Sequence, residues 1–346
     1  MTVQKVGILS LNKSAMKNFL RNASLLVLVV TGFQVPANGQ IYHVAEMNTK
    51  QIQLLDKQKT VVILPGGVLE QHGPFMPSFS DGYLNERLSR DVADAIVARP
   101  GWTVLMFPTI PLGTGGANEI GYKNIFSGSY GIRASTLRAV FMDLATQLGD
   151  QGFRHVFIIH GHGSPLHNQA LDQAGDYFRD IYGGRMVNLD GLEPKPTADL
   201  PPFPILTDAE LAENGLDIHA GMSELSRLLY ITPHLVDNSY KTARPFSGQS
   251  MKELIDIAKG DSWLGYFGSP RLATAAKGSQ IYRRRSAQLI NLTLKILDGL
   301  DDRTVARYAD EALADAGEFE VSKGSITRDE EMRKKQTEWL RKKGLK

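Results

Sequence analysis

The sequence predicts an α/β protein in which a mostly parallel sheet is covered by helices on both faces, a three-layer α/β/α arrangement. Three observations point there. "TVVILP" (60–65) and "HVFIIH" (155–160) are apolar, β-branched runs without polar alternation, as in strands buried on both faces. Segments with apolar residues at helical spacing follow them, so strands and helices alternate. Apolar residues at 42% and charged residues at 22% over 346 positions suit an ordinary globular protein with a substantial core.

The first 39 residues read as an address. They hold Lys5, Lys13, Lys17 and Arg21 but no acid. The last three of these precede "ASLLVLVVTGF" (23–33), an apolar run too short to span a bilayer. "VPANG" then offers Ala37 and Gly39 as small residues for a signal peptidase. Residues 1–39 are therefore expected to be a signal peptide cleaved before Gln40. The protein is then expected to be periplasmic or secreted, with no stable membrane insertion after cleavage. A buried N-terminal element and an uncleaved anchor are the alternatives.

The first expected strand, 60–65, stops at Gly66 and Gly67. Leu84, Leu88, Val92, Ala95 and Ile96 mark a helix from Tyr83 to Arg99, and "WTVLMFPTI" (102–110) resembles a second strand. Gly113 to Gly131 is Gly-rich and reads as a long loop. Leu137, Val140, Phe141, Leu144 and Leu148 mark a helix that Gly152 ends before the strand at 155–160. Leu166, Ala170, Leu171, Ala174, Phe178 and Ile181 trace the next helix, which leads to "MVNL" (186–189). "EPKPTADLPPFP" (193–204) is rich in structure breakers and reads as an excursion near the site. From Arg328 to Lys346 an exposed helix is expected, acidic early and basic late as its dipole prefers. There is no internal repeat.

Charge and cysteine content narrow the chemistry. Beyond residue 39 there remain 35 basic (39 − 4) and 37 acidic residues, a balance of about −2, which is no footprint for nucleic acid. With no cysteine there are no disulfides and no thiolate ligands, so any metal must be held by His, Asp and Glu. Such donors suit Zn, Mn, Fe or Co.

Three segments carry those donors. "LEQHGPFMPSFSD" (69–81) places Glu70, His72 and Asp81 in a stretch too broken for a regular element. "HGHGSPLHN" (160–168) places His160, His162 and His167 directly after a buried strand. "DIHAGMSELSRLLY" (217–230) places His219 and Glu224 at the opening turns of a helix. Loops beyond the carboxyl ends of parallel strands are where such folds bind ligands. Each residue also has a duller reading: Asp81 could cap the helix near Tyr83, and His72 or His162 could be satisfied core histidines. Asp81, with two oxygens on a short side chain, could bridge two ions.

In combination these segments resemble the creatininase (creatinine amidohydrolase) family. "LPGGVLEQHGPFMPSFSD" looks like its first signature, "HGHGS" matches its Asn-Gly-His-Gly-Gly turn in part, and "HAGMSELS" is similar to its His-Ala-Gly-x-x-Glu-Thr-Ser segment. "GYFGSPRLATAAKG" (265–278) resembles its late Gly-x-x-Gly-x-Pro motif, and the likeness runs from about Thr60 to Ile290 in order. The resemblance implies the three-layer fold, usually a hexamer, and a domain here spanning 40–320 with a charged helical tail at 321–346. It implies two divalent cations, zinc with manganese or iron as alternatives. Glu70, Asp81 and His162 would bind one, and His72 with the bridging Asp81 the other. Ser164 stands where creatininase completes the second site with a glutamate, and Glu224 is the expected replacement. His219 becomes the expected proton shuttle, with Glu224 as ligand or as its orienting partner.

The expected function is therefore an exported amidohydrolase that cleaves a non-peptide C–N bond, in a cyclic amide, lactam or formamide, with metal-activated water. A lactonase or esterase with the same centre, and a non-catalytic ligand- or metal-binding relative, are the alternatives. Phe75, His160, Leu225, Asn118 and the "SPLHN" run depart from the family pattern. They are expected mostly around the pocket, so that the metal centre survives while the substrate differs. Phe75, Tyr122, Phe126 and Trp263 are aromatic candidates for the pocket wall, each more readily explained as core.

Overall fold

A computed structural model describes residues 39–195 and 200–345. All but the last residue of the expected signal segment lies outside the described residues, as does the middle of the 193–204 excursion. In chain order the elements are β1 (Ile41–His43), α1 (Thr49–Gln53), β2 (Thr60–Pro65), α2 (Ser80–Val97), β3 (Thr103–Met106), α3 (Ala134–Asp150), β4 (His155–Ile159) and α4 (Pro165–Tyr182). There follow β5 (Arg185–Asn188), β6 (Leu192–Glu193), α5 (Asp208–Asn214), α6 (Met222–Ile231), α7 (Met251–Lys259), α8 (Ala275–Leu297), β7 (Ala306–Arg307), α9 (Tyr308–Ala314) and α10 (Ala316–Lys342).

Strands β1 to β5 form one sheet in the order β1-β3-β2-β4-β5, parallel throughout, and β6 and β7 make a small antiparallel pair. The central strand explains its own composition. Every residue of β2 is buried. Val61 and Ile63 face Leu84 and Leu88 of α2, Leu225 and Leu228 of α6, and Leu289 and Leu292 of α8. Val62 and Leu64 face Leu137 and Phe141 of α3 and Leu171 and Phe178 of α4. A strand covered on both sides needs apolar residues at both parities, and the expected three-layer α/β/α fold is what forms.

The chain runs from β2 to β3 on one side and then to β4 on the other side of β2. Connections therefore leave the carboxyl ends of β2 and β4 in opposite directions, opening a crevice between them. The segment after β2 lines it and enters α2 earlier than the apolar spacing indicates. The Ser80 amide and hydroxyl both donate to the Pro77 carbonyl, closing a turn that starts the helix at Ser80. Asp81 consequently lies in the first turn, not at the cap, where the helix dipole favours an acid. Gly113–Gly131 remains irregular apart from a 3-10 turn at Ala117–Gly121.

The C-terminal helix begins twelve residues before Arg328, and the expected boundary at 320/321 falls inside it. Its first half buries Ser322, Gly324 and Ser325, small residues that let it approach the 117–121 turn. A Cβ at Gly324 would overlap the Glu119 carbonyl oxygen. Asp329 accepts a hydrogen bond from the Ala134 amide at 2.8 Å, supplying the opening of α3 with an acceptor. Gly324→Val is expected to lever α10 away, costing about 1–3 kcal/mol by overpacking. Thermal melts and limited proteolysis near residue 315 check this, and an unchanged melt with intact protease resistance would contradict the docking. Among the described residues, no helix is long and apolar enough to cross a membrane.

Candidate metal centre

Six sequence-identified side chains converge in the crevice. Glu70 and His72 come from the loop after β2, and Asp81 from the first turn of α2. His162 comes from the loop after β4. His219 precedes α6, and Glu224 is in its first turn. Glu70, His72, Asp81 and His219 are almost wholly buried.

Their donor atoms fall into three overlapping groups, Glu70–Asp81–His162, His72–Asp81–Glu224 and Glu70–His72–His219, each within 4.8 Å, with Asp81 shared by the first two. His162 Nδ1 lies 3.0 Å from Glu70 Oε1 and 3.3 Å from Asp81 Oδ2. His72 Nε2 lies 3.5 Å from Asp81 Oδ1 and 3.8 Å from Glu224 Oε2. Atoms bound tetrahedrally to one ion at 2.0–2.2 Å stand about 3.4 Å apart, so these separations are those of ligands sharing a cation. Glu70 Oε1, His72 Nε2 and Asp81 Oδ2 are buried and have no hydrogen-bond partner among the described residues. Buried polar atoms left unpaired are costly. Three aimed at one place, from carboxylates and an imidazole, fit divalent-cation binding.

The outer contacts fix how each group points. His72 Nδ1 donates to the Glu70 carbonyl at 3.1 Å, His162 Nε2 to Gly115 O at 3.1 Å, and His219 Nε2 to Gln71 O at 2.8 Å. Each imidazole is thereby held in one tautomer with its other nitrogen facing the centre, the usual support of a metal-ligating histidine. Gly115, at φ +77, adopts the left-handed backbone of this loop. Glu70 Oε2 accepts from the Ala117 amide at 2.9 Å, and Glu224 Oε2 from the Ala220 amide at 2.7 Å. Ala220 itself has φ +54, a left-handed conformation uncommon for a residue with a Cβ.

Electrostatics tie the cluster together. Burial alone would raise Glu70, but the imidazoles of His162 and His219 outweigh it and hold its carboxyl at about 2. Asp81 is likewise held far down by His162 and His72 against burial. Burial opposes charge on His72, yet Asp81, then Glu224 and Glu70, push it up to about 9. His162 is raised well above its ordinary value, chiefly by Glu70 and Asp81 acting against burial.

The other singled-out residues lie elsewhere. His167 Nε2 donates to the His160 carbonyl, and burial with the neighbouring imidazoles keeps both histidines neutral. Ser164 sits in a cavity wall against Gly115 rather than among the donor groups. The departures expected around the pocket are mostly core: Phe75 and Leu225 belong to the apolar cluster under α2, and His160 is fully buried against Phe141. These three change the packing behind the centre, whereas Ser164 and Pro165 of the "SPLHN" run line the smaller cavity. Trp263 and Phe126 pack on each other away from the crevice.

Sequence reasoning missed what surrounds the donors. A 760 Å³ cleft and a 330 Å³ cavity both reach the centre, and Tyr308, Arg227 and Arg285 help line them. Single residues of these types carry no local signal. Arg227 could have been found from its position three places after Glu224, on the same helix face.

Comparison with known proteins agrees with this architecture. Residues 45–293 match the family model described as creatininase, creatinine amidohydrolase. Over 249 residues the chain is 28% identical to the mycofactocin precursor peptide peptidase of Mycobacterium ulcerans (strain Agy99), covering 68% of this chain and 86% of that one. Over 187 residues it is 27% identical to the creatinine amidohydrolase of Pseudomonas putida, covering 51% and 66%. A solved structure described as "Creatininase Mn" superposes with a TM-score of 0.54 at 20% identity, covering 73% of this chain and 98% of that chain, a likeness of fold. With the match spanning most of its length, the chain belongs to the creatininase family.

Proposed function

We propose that this protein is a metal-dependent amidohydrolase that hydrolyses a carboxamide C–N bond at a two-cation centre, with Glu70, Asp81 and His162 as ligands of one ion and His72, Asp81 and Glu224 of the other. The observation that carries it is the pair of donor groups sharing Asp81, with three unpaired buried atoms aimed between them. The donor set suits zinc, manganese or iron, and manganese appears in the name of one structural relative.

When bound, such cations supply a water acidic enough to deprotonate near neutral pH and polarise the carbonyl it attacks. The chain's own part follows from the contacts. Asp81, its carboxyl held far down, stays ionised and presents one oxygen to each donor group. His219 keeps Nε2–H on Gln71 O, so its free Nδ1, 3.8 Å from Glu70 Oε1 and 3.9 Å from Glu224 Oε2, is the atom that can take a proton and return it to the leaving nitrogen. Glu224 is steadied by the Ala220 amide, which leaves it placed to ligate and to orient His219.

Two substrate classes fit that reaction: the cyclic amide, lactam or formamide expected from sequence, and a linear amide, which the size of the two cavities favours. The relatives include both a creatinine amidohydrolase and a peptide peptidase. Export through a leader removed before Gln40 and assembly into a homo-oligomer belong to the same proposal; sequencing the mature N-terminus and measuring solution mass test them. The central test is metal analysis. Purified protein should hold two ions per chain and lose turnover in chelator, and Glu224→Gln, which removes a donor from one group only, should leave one ion. Two ions in the variant would rule out Glu224 as a ligand.

A further inference from the structure

The two cavities are distinct in chemistry and meet at the centre. His162, Gly163, Ile218, Glu224 and Tyr308 belong to both walls. At 760 and 330 Å³, each alone falls in the range of roughly 300–1,000 Å³ that holds a drug-sized ligand. A ring the size of a lactam would occupy a corner of either.

The smaller lobe has an apolar wall made by Ala117, Ile120, Pro165, Ile218, Met251 and Val321. The larger carries half-buried Arg227 and Arg285, while Glu193 and Glu311 stand exposed at its rim. Arg285 is already engaged, donating to Asp190 at 2.8 Å. Arg227 lines the larger lobe and gives one amino group to Glu224 Oε1 at 3.3 Å, while its other amino group makes no hydrogen bond among the described residues. A guanidinium with an open donor beside the reacting centre is a carboxylate anchor.

Much of this enclosure lies outside the region shared with the family. The family match ends at residue 293. Tyr308, whose hydroxyl donates to Gly163 O at 2.8 Å, Glu318, Val321, Ser322 and Ser325 all come after it. The C-terminal helix thus roofs the smaller lobe.

We propose that the substrate is an extended linear amide carrying a free carboxylate, an N-acyl amino acid or short peptide. Its apolar acyl side lies in the lobe under the C-terminal helix, and its carboxylate on Arg227. This rests on the amidohydrolase reading. In the reaction the amide C–N bond breaks and the oxygen of water joins the acyl carbon. One proton of water goes to the departing nitrogen through His219, and the new acid's proton follows it at neutral pH. The products are a carboxylate and an ammonium.

The test uses full-length protein loaded with zinc or manganese, apolar N-acyl amino acids, their C-terminal carboxamides, and small lactams. We expect kcat/KM at least about tenfold higher for the free acids than for the carboxamides, as loss of a charged hydrogen bond implies. Lactams should be poorer still. Arg227→Gln should bring the acid-to-carboxamide ratio near one, Arg227→Lys should restore part of it, and Val321→Trp should raise KM for long acyl chains. Metal content is measured throughout, and if Arg227→Gln loses metal, the ratio in the unaltered protein decides. Calorimetry with a non-cleavable ketomethylene analogue gives a second readout. If nothing is hydrolysed but the analogue binds about tenfold better than its carboxamide, the ligand class stands and the hydrolase reading falls. Lactam turnover with no carboxylate preference would leave the hydrolase reading intact and overturn this one.

Discussion

Asp81→Asn is expected to empty both metal positions and reduce turnover by more than about a hundredfold. Outer contacts of metal ligands already cost 10–100-fold when removed, and Asp81 is a direct candidate ligand in both donor groups. An asparagine keeps the volume but offers one neutral oxygen, and its amino group must face either His72 Nε2 or His162 Nδ1, on sides where a carboxylate oxygen now stands 3.5 and 3.3 Å away. The contrast with Glu224→Gln is the informative part, since Glu224 serves one group alone. Elemental analysis and single-turnover kinetics on folded protein, verified by circular dichroism, read the result. Two ions and undiminished turnover in Asp81→Asn would end the two-cation account.

The second large effect is on pH. Metal-free protein is expected to lose stability as pH climbs from 6.5 to about 9. His72 is raised in the folded state to about 9 from an ordinary 6.5. A group whose folded value lies above its unfolded one binds its proton more tightly when folded. Its stabilisation is therefore complete below 6.5 and gone above 9. The gap of about 2.5 units corresponds to about 3 kcal/mol. His162 shifts in the same direction. Glu70, lowered to about 2, reports the same contacts from the acid side, present above 4.5 and lost as pH falls through 2, so its share is not added again. Cations reverse the trend, because imidazole must be neutral to ligate. Apparent affinity should rise about tenfold per pH unit for each proton displaced, up to about 9. Melts of chelated and zinc-loaded protein between pH 6 and 9.5 should diverge, the former falling. Parallel curves would mean that these imidazoles do not share their protons with the carboxylates.

Most of the fold and all six converging donors were legible in the sequence, for separate reasons. A strand buried on both faces must be apolar at every position, and β2 announces itself that way. Glu70, His72, Asp81 and His162 stand out because polar residues amid glycine and proline beyond such strands have few structural duties, and His219 and Glu224 stand out through the family-like segment that opens α6. What stayed hidden depends on distant contacts. The first half of α10 docks through Ser322, Gly324 and Ser325, which make no apolar stripe, and the neighbouring charges of 328–346 disguise it as a solvated tail. Phe75, His160 and Leu225 were expected near the substrate because they interrupt a motif. The helix period turns Leu225 into the core, and the loops after β2 and β4 fold Phe75 and His160 into it. Tyr308 reaches Gly163 across 145 residues, a juxtaposition that no local pattern encodes.

Glu70 and Glu224 lie 154 positions apart (224 − 70), in a chain with no cysteine. Ions caught between them would tie that span shut without a covalent bond. A permanent cross-link over a loop of such length restrains the unfolded chain by roughly 5 kcal/mol. An ionic staple does so only while free cation is at hand. Mineral supply, and not redox state, would then set how long this molecule endures.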